Sequence, residues 1–193
     1  MSIFEKITNY GLSYTDGEDN SSGIQQDTYF LPISWMKTIS RPKAGTTAAS
    51  LVEINESHVM NTGKGPVKMY SMFKKSGFKG ALEGEELCKI FKQGPAEFFI
   101  PRLTADNLGT VTAIKNYQGI VLMRRAGEDN EFVQIGSEGM PAQVVNVEFD
   151  LGTGPTGSTG IKVTFEAYGK VPYYVYKGDI PSDKMPSSVQ KSN

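Results

Sequence analysis

Two stretches towards the C-terminal end of the chain alternate apolar and polar residues with a period of two. In the first stretch the apolar positions are Val145, Val147, Phe149 and Leu151, and the polar positions are Asn146, Glu148 and Asp150. In the second stretch Ile161, Val163, Phe165 and Ala167 alternate with Lys162, Thr164, Glu166 and Tyr168. Successive side chains of a strand point to opposite faces, so each stretch predicts a strand with one buried and one solvated face. Residues 152–160 between them are rich in Gly and Pro, which predicts the turn of an antiparallel hairpin.

Shorter extended stretches surround this hairpin. The pattern predicts strands within residues 24–40, 67–73, 96–100, 119–125, 132–136 and 173–176. One helix is predicted from Gly84 to Lys92, where Leu87, Ile90 and Phe91 lie at helical spacing. Residues 104–116 fit neither period clearly.

These elements predict a mainly β fold, either an antiparallel β-sandwich or a partly closed barrel, with one flanking α-helix and long hairpin loops. A single domain is expected over residues 1–181. Within it, residues 1–23 are polar and broken by Gly, which favours a mobile arm, and residues 40–66 favour a long exposed hairpin. Residues 182–193 are rich in Ser, Pro and Lys and are expected to be disordered.

Composition narrows the range of functions. The 193 residues carry a net charge of −1, which is unlike the basic footprint of a nucleic-acid-binding domain. One cysteine excludes an internal disulfide and a Cys-based zinc site within one chain. The N-terminal residues do not resemble a signal peptide, and no apolar run is long enough to cross a membrane. We therefore expect a soluble protein that is made in the cytoplasm.

The charges are distributed unevenly. Residues 1–30 contain five acidic residues and one lysine, whereas residues 31–80 contain eight basic and two acidic residues. Two solvated faces of opposite sign would explain this pattern. The other explanation is a head-to-tail contact in which the acidic end of one copy meets the basic region of the next.

Catalytic chemistry finds little support. His58 is the only histidine, and we expect it to be an ordinary exposed residue; Cys88 is expected to be a buried thiol inside the predicted helix. The glycines of residues 152–160 are followed by a strand, whereas a dinucleotide site requires a helix there. Three acidic residues, Glu148, Asp150 and Glu166, are interpreted as part of a solvated sheet face. We therefore predict no enzymatic activity, no cofactor and no metal site.

The region from about Phe73 to Pro181 resembles the tail tube proteins of tailed bacteriophages. The likeness rests on the order of a strand, the acidic Glu85-Glu86-Leu87 and the run Phe98-Phe99-Ile100-Pro101. These are followed by Lys115-Asn116-Tyr117 before Gly119-Ile-Val-Leu, by residues 134–142, by the Gly-rich loop, and by Pro172-Tyr-Tyr with Tyr176 and Gly178. The resemblance covers rather more than half of the chain and includes no catalytic motif.

This resemblance implies a β-sandwich whose copies form rings, with six copies in each ring and their inner sheets joined into one barrel. Stacked rings would form the tube that carries the genome to the host cell. The location would be the virion tail, and the partners would be further copies, terminator, baseplate or tip proteins, a sheath in contractile tails, and viral DNA passing without specific binding. The expected lumen-facing residues are Asn146, Glu148, Asp150, Lys162, Thr164 and Glu166. The expected inter-ring contact joins Asp16, Glu18 and Asp19 to Arg41, Lys43 and Lys64.

Three other classes share parts of this pattern. A capsid decoration or head-completion protein is also β-rich and symmetric, and the tube protein of a bacterial secretion or injection system would have the same fold. A carbohydrate-binding β-sandwich or glycan hydrolase could use Glu148, Asp150 or Glu166. Sugar sites usually expose tryptophans, and Trp35 is the only tryptophan in this chain.

Overall fold

The alternating patterns fold into twelve strands and one α-helix within the part of the chain that the structure describes. The structure is a computed structural model, and it describes residues 7, 10–12, 16, 22–127, 131–153 and 157–181. The elements are β1 (Ile24–Pro32), β2 (Met36–Thr38), β3 (Glu53–Ile54), β4 (Val59–Met60), β5 (Val67–Tyr70), β6 (Gly77–Glu83), β7 (Ile90–Pro101), α1 (Ala105–Ile114), β8 (Gln118–Arg125), β9 (Phe132–Ile135), β10 (Ala142–Asp150), β11 (Gly160–Gly169) and β12 (Tyr174–Tyr176).

The first sheet contains β5, β1, β8, β9, β12 and β3 in that order. Its neighbours are antiparallel except β12 and β3, which are parallel. The central strand β8 has four consecutive buried residues, Ile120, Val121, Leu122 and Met123. Because successive side chains point to opposite faces, this sheet must be covered on both sides.

The second sheet contains β10, β11, β7 and β6, and all of its neighbours are antiparallel. Strand β10 first pairs with β8 at Ala142 and Gln143, and then leaves it to pair with β11. The two sheets are therefore joined at one corner and lie face to face as a sandwich, which is the first of the two predicted architectures. The sheets do not close into a barrel.

The main core fills the space between the sheets. The Phe165 ring of β11 lies 5.1 Å from Phe30 of β1 and 5.9 Å from Phe98 of β7, measured between ring centroids. At the far end of the second sheet, the core is covered by α1 and no longer by the first sheet. Its buried Ile114 and half-buried Val111 belong to the same cluster as Ile161.

A second core lies on the other face of the first sheet. It contains Leu31, Ile54, Met60, Leu122 and Tyr176, all buried. The segment of residues 40–66 supplies two of them, and its base is closed by pairing of β2 with β4. The prediction of an exposed hairpin over residues 40–66 is therefore wrong for the residues that cover this sheet, although many of its other residues are exposed.

The helix predicted from Gly84 to Lys92 is not formed. Residues 84–89 make the tight turn between β6 and β7, and Ile90, Phe91 and Lys92 are the first residues of β7. Gly84 has φ +104°, and a Cβ there would lie 2.2 Å from the carbonyl oxygen of Cys88. The turn leaves Leu87 and Cys88 exposed, so the prediction of a buried thiol is also wrong. Long-range pairing of β7 with both β6 and β11 outweighs the local helical pattern.

The helix α1 lies instead in the stretch that was ambiguous. Thr104 caps it, because its side-chain oxygen accepts a hydrogen bond from the Asn107 N–H at 3.2 Å. Asp106 in the first turn suits the positive end of the helix dipole. Only a narrow side of this helix is buried, and for that reason its hydrophobic period is weak in the sequence.

The predicted hairpin of β10 and β11 is present, but its apolar side is only partly buried. A bulge between Val144 and Asn146 turns Val145 outwards, where its side chain is 49% exposed. Phe149 and Leu151 lie beyond the reach of the core and are 72% and 78% exposed. The prediction that these three residues are buried is therefore wrong, whereas the prediction for Ile161, Val163 and Phe165 is confirmed.

Candidate assembly surfaces

The second sheet presents one polar surface, which we call the polar face. On it Glu148 lies opposite Lys162, and Asn146 lies opposite Thr164. Strand β7 extends these rows, because Lys162 is also paired with Phe99 and Thr164 with Glu97. The sheet thus brings the predicted lumen-facing residues of its two strands to one side.

Two lysines of the polar face, Lys162 and Lys92, are held by carboxylates. Lys162 Nζ lies 2.8 Å from Glu97 Oε1, and Lys92 Nζ lies 3.1 Å from Glu166 Oε1. A side-chain hydrogen bond to Glu97 is the main cause that raises the pKa of Lys162 above its ordinary value, and a hydrogen bond to Glu166 has the same effect on the pKa of Lys92. The ammonium groups of Lys162 and Lys92 therefore stay charged, and each has a carboxylate beside it.

The remaining predicted residues of this surface differ in accessibility. Glu148 and Asp150 are exposed, and Asn146 is exposed and donates to Glu148 Oε1 at 2.9 Å. Asp150 Oδ1 accepts the Gly152 N–H at 2.8 Å, so it also shapes the start of the turn. Thr164 is buried and presents little surface. The polar face is therefore mixed in charge at its centre and acidic along β10.

Sequence reasoning missed three members of this surface. Glu97 lies on a strand that was predicted, but its partner Lys162 could be identified only from the strand order. Lys92 was placed on the helix that is not formed. Phe99 faces the same side and is covered by Lys75, whose Nζ lies 4.5 Å from the ring centroid. The sequence did contain a signal for two of them, because Glu97 and Phe99 alternate with Phe98 and must therefore lie on the opposite face of the strand.

Both outer edges of the second sheet are open within the described residues. Beyond Gln143, β10 pairs only with β11, which leaves its other side without a strand. At the opposite end β6 pairs only with β7. Open edges present unpaired N–H and C=O groups in a row, and chains that keep such edges use them for association or protect them.

Exposed apolar side chains lie beside each open edge. Phe149 and Leu151 stand near the β10 edge. Beside the β6 edge, Leu82 is exposed and Phe78 packs edge-on against Tyr173 with ring centroids 6.1 Å apart. Apolar surface of this kind at two strand edges is typical of a contact between protein chains.

The basic residues of the predicted inter-ring contact have partners inside the chain. Arg41 forms an ion pair with Glu138, and Lys43 Nζ lies 2.5 Å from Glu56 Oε1. Lys64 Nζ lies 5.1 Å from the Trp35 ring centroid. All three side chains remain on the surface. On the acidic side Asp16 is exposed, whereas Glu18 and Asp19 lie outside the described residues.

His58 is buried, with 2% of its surface exposed, so the prediction of an exposed histidine is wrong. Its Nδ1 accepts the Ser40 N–H at 3.0 Å, and its Nε2 therefore carries the proton and donates to Gln134 Oε1 at 2.9 Å. The ring stacks on Tyr176 at 4.7 Å. Burial lowers the pKa of His58 below its ordinary value. The histidine fastens residues 40–58 to the first sheet.

Over the residues that the structure describes, no group of three His, Cys, Asp or Glu side chains could hold a metal ion. No helix in the same residues is long and apolar enough to cross a membrane. A scan against protein-family models and searches of curated proteins and solved structures found no match for this chain.

Proposed function

We propose that this chain is a structural virion protein, the tail tube subunit of a tailed bacteriophage. Copies form a ring, with six copies in each ring as the resemblance implies, and rings stack into the tube through which the genome reaches the host cell. The observation that carries the proposal is the second sheet, which has two open edges and one polar face. Such a sheet is completed by copies of itself, because each copy offers both edges.

The polar face suits the wall of a channel for DNA. DNA is held by Lys and Arg that displace its counterions, and free lysines on a wall would slow its passage. On this face Lys162 and Lys92 are paired with Glu97 and Glu166. The exposed Glu148 and Asp150 add negative charge that repels phosphate. In this assignment the main core and α1 face away from the channel.

The surface of residues 40–66 is assigned to the contact with the next ring. Exposed Arg41, Lys43 and Lys64 would meet the acidic residues around Asp16 of a neighbouring copy. The second core holds this segment on the molecule at Ile54 and His58, so that its exposed side is presented on a rigid base. Terminator, baseplate or tip proteins, and a sheath in a contractile tail, are the further partners that this assignment implies.

Negative-stain electron microscopy of the purified full-length chain tests the proposal. Tubes or stacked rings with a central channel are expected. Monomers at every concentration would contradict it, and so would closed shells with no channel, which a capsid protein would form. A matched variant, Arg41→Glu with Lys43→Glu, changes only exposed side chains of the inter-ring surface. It is expected to yield single rings in place of tubes, and long tubes from this variant would remove the inter-ring assignment.

A further inference from the structure

We infer that strand β6 of one copy pairs antiparallel with strand β10 of the next copy, in the register that sets Lys79 opposite Glu148 and Phe78 opposite Phe149. The inference rests on the proposed ring assembly and names its contact residue by residue. It uses the two edges of the second sheet that the described chain leaves unpaired.

Strand direction permits this pairing. Each strand of the second sheet is antiparallel to its neighbour, in the order β10, β11, β7, β6. Along an even number of such strands the first and last run in opposite directions. When β6 of a second copy lies beside β10, the two are therefore antiparallel, and the sheet continues without a change of pattern.

Side-chain direction restricts the register. On β10, Val147 and Phe149 point to the core side, and Glu148 points to the polar face. On β6, Phe78 lies opposite Ala96 of the main core, which places the exposed Lys79 on the polar face. A shift by one residue would exchange the two sides, so only registers that differ by two residues are allowed.

Among these registers, one pairs all of β6 except Glu83, which falls at Gln143, where β10 is already paired with β8. It sets Gly77 opposite Asp150 and continues to Leu82, which lies opposite Val144 once the bulged Val145 is passed over. A register two residues farther along leaves Gly77 and Phe78 beyond the end of β10. The register that pairs Gly77 to Leu82 is favoured because each added pair satisfies backbone groups that are otherwise left at an open edge.

The same register joins groups of complementary chemistry on both sides of the sheet. On the polar face the Lys79 ammonium lies opposite the Glu148 carboxylate, and opposite charges across two strands stabilise the pair. On the other side Phe78 lies opposite Phe149, which is 72% exposed in the single chain. Phe149 would also reach the apolar hollow lined by Leu82, Phe91 and Tyr173 of the second copy.

The stagger of this register agrees with the geometry of a closed barrel. Within one copy Asn146 and Gly77 lie on the same row, connected through Thr164 and Glu97. In the pairing between copies Gly77 lies opposite Asp150, four residues farther along. Four residues rise about 13 Å while four strands span about 19 Å, which corresponds to a tilt of about 35°. Strands of closed barrels are tilted by roughly 35–45°.

Cysteine cross-linking tests the register. In a Cys88→Ser background, Lys79→Cys is combined with Glu148→Cys, and assembled protein is oxidised with copper phenanthroline. Directly opposite residues have Cβ atoms about 4.5–5.5 Å apart, close enough for a disulfide after small movements. A ladder of covalent oligomers that ends at the ring size is expected on a non-reducing gel.

Two matched pairs serve as controls. Lys79→Cys with Asn146→Cys and Lys79→Cys with Asp150→Cys are each displaced by two residues on the same face, and we expect little cross-linking from either. Stronger cross-linking from a displaced pair, or none from any pair in intact tubes, would overturn the register while the proposed function stands. If the Cys88→Ser chain forms neither rings nor tubes by microscopy, the proposed function itself fails.

A charge exchange provides a second measurement that does not depend on oxidation. Lys79→Glu alone is expected to reduce assembly, because it sets two carboxylates opposite each other. Addition of Glu148→Lys to the same chain should restore assembly. Circular dichroism of each variant shows whether the monomer remains folded. If the folded double variant assembles no better than the folded single variant, Lys79 and Glu148 are not opposite each other.

Discussion

The two sheets of this molecule differ in how they are covered. The first sheet is buried on both faces, by the main core on one side and by residues 40–66 on the other. Over the residues that the structure describes, the second sheet is buried on one face and leaves its polar face and both edges open. Within the chain both faces of the first sheet are thus covered, whereas the polar face of the second sheet has no covering layer among the described residues. Each of the following predictions changes one side of this contrast.

The largest effect is expected where the two sheets meet. Phe165→Ala removes a buried ring that contacts Phe30 and Phe98. The free energy of unfolding should fall by about 3–5 kcal/mol, because a cavity remains between the sheets. Chemical denaturation of the variant and of the original chain measures the difference. The matched variant Phe149→Ala lies at the open edge and should change the monomer by less than about 1 kcal/mol. Equal losses of unfolding free energy in the two variants would show that Phe149 is packed within the single chain.

A smaller loss of stability is expected at low pH, where His58 becomes protonated in the segment that covers the first sheet. Burial holds the pKa of His58 below 6.5, so the folded chain binds fewer protons than the unfolded chain when the pH falls below that value. The stability contributed by His58 is fully present above pH 6.5 and is lost as the pH falls through the lowered pKa. A proton on Nδ1 would also displace the Ser40 N–H, and loss of this buried hydrogen bond costs about 1–3 kcal/mol.

Urea denaturation at a series of pH values between roughly 5 and 8 measures this effect. His58→Gln is the control, because it retains a polar side chain and has no group that titrates in this range. The free energy of unfolding of the original chain should decline towards acid pH more steeply than that of the variant. Identical slopes for the two proteins would exclude His58 as the source.

The smallest effect is expected on the polar face. Lys162→Ala removes a partly exposed ion pair with Glu97, and such pairs contribute less than about 1 kcal/mol to stability. Thermal unfolding of the monomer should therefore change little, and the small difference should shrink further as salt is added. A loss of several kcal/mol would mean that the polar face has a structural role in the single chain.

Local sequence patterns were sufficient to predict the strands that have one buried face and one exposed face. The alternation of Ile161, Val163 and Phe165 predicted β11, and it predicted which side would be buried. The polar residues that alternate with the apolar positions of the hairpin were correctly expected to share its other side. Their assignment to the wall of a channel stays a prediction, because a single chain has no neighbour to define an inside.

Other features depend on contacts between distant residues. The segment around Leu87 looks helical by itself, but its flanks pair with each other as β6 and β7, and β7 also pairs with β11. His58 lies in a polar stretch, and only the positions of Gln134 and Tyr176 bury it. The bulge at Val145 changes which side chain faces the core, and no local pattern marks it.

By itself the sequence determined that the chain is mainly β, because a period of two along a strand reflects how that strand meets a single apolar layer. Only the tertiary structure decided which layer each strand meets, where the helix lies and that both edges of the second sheet stay open in the described chain. The physical reason is that strand pairing joins residues far apart along the chain. Whether an edge is covered depends on what else has already packed beside it.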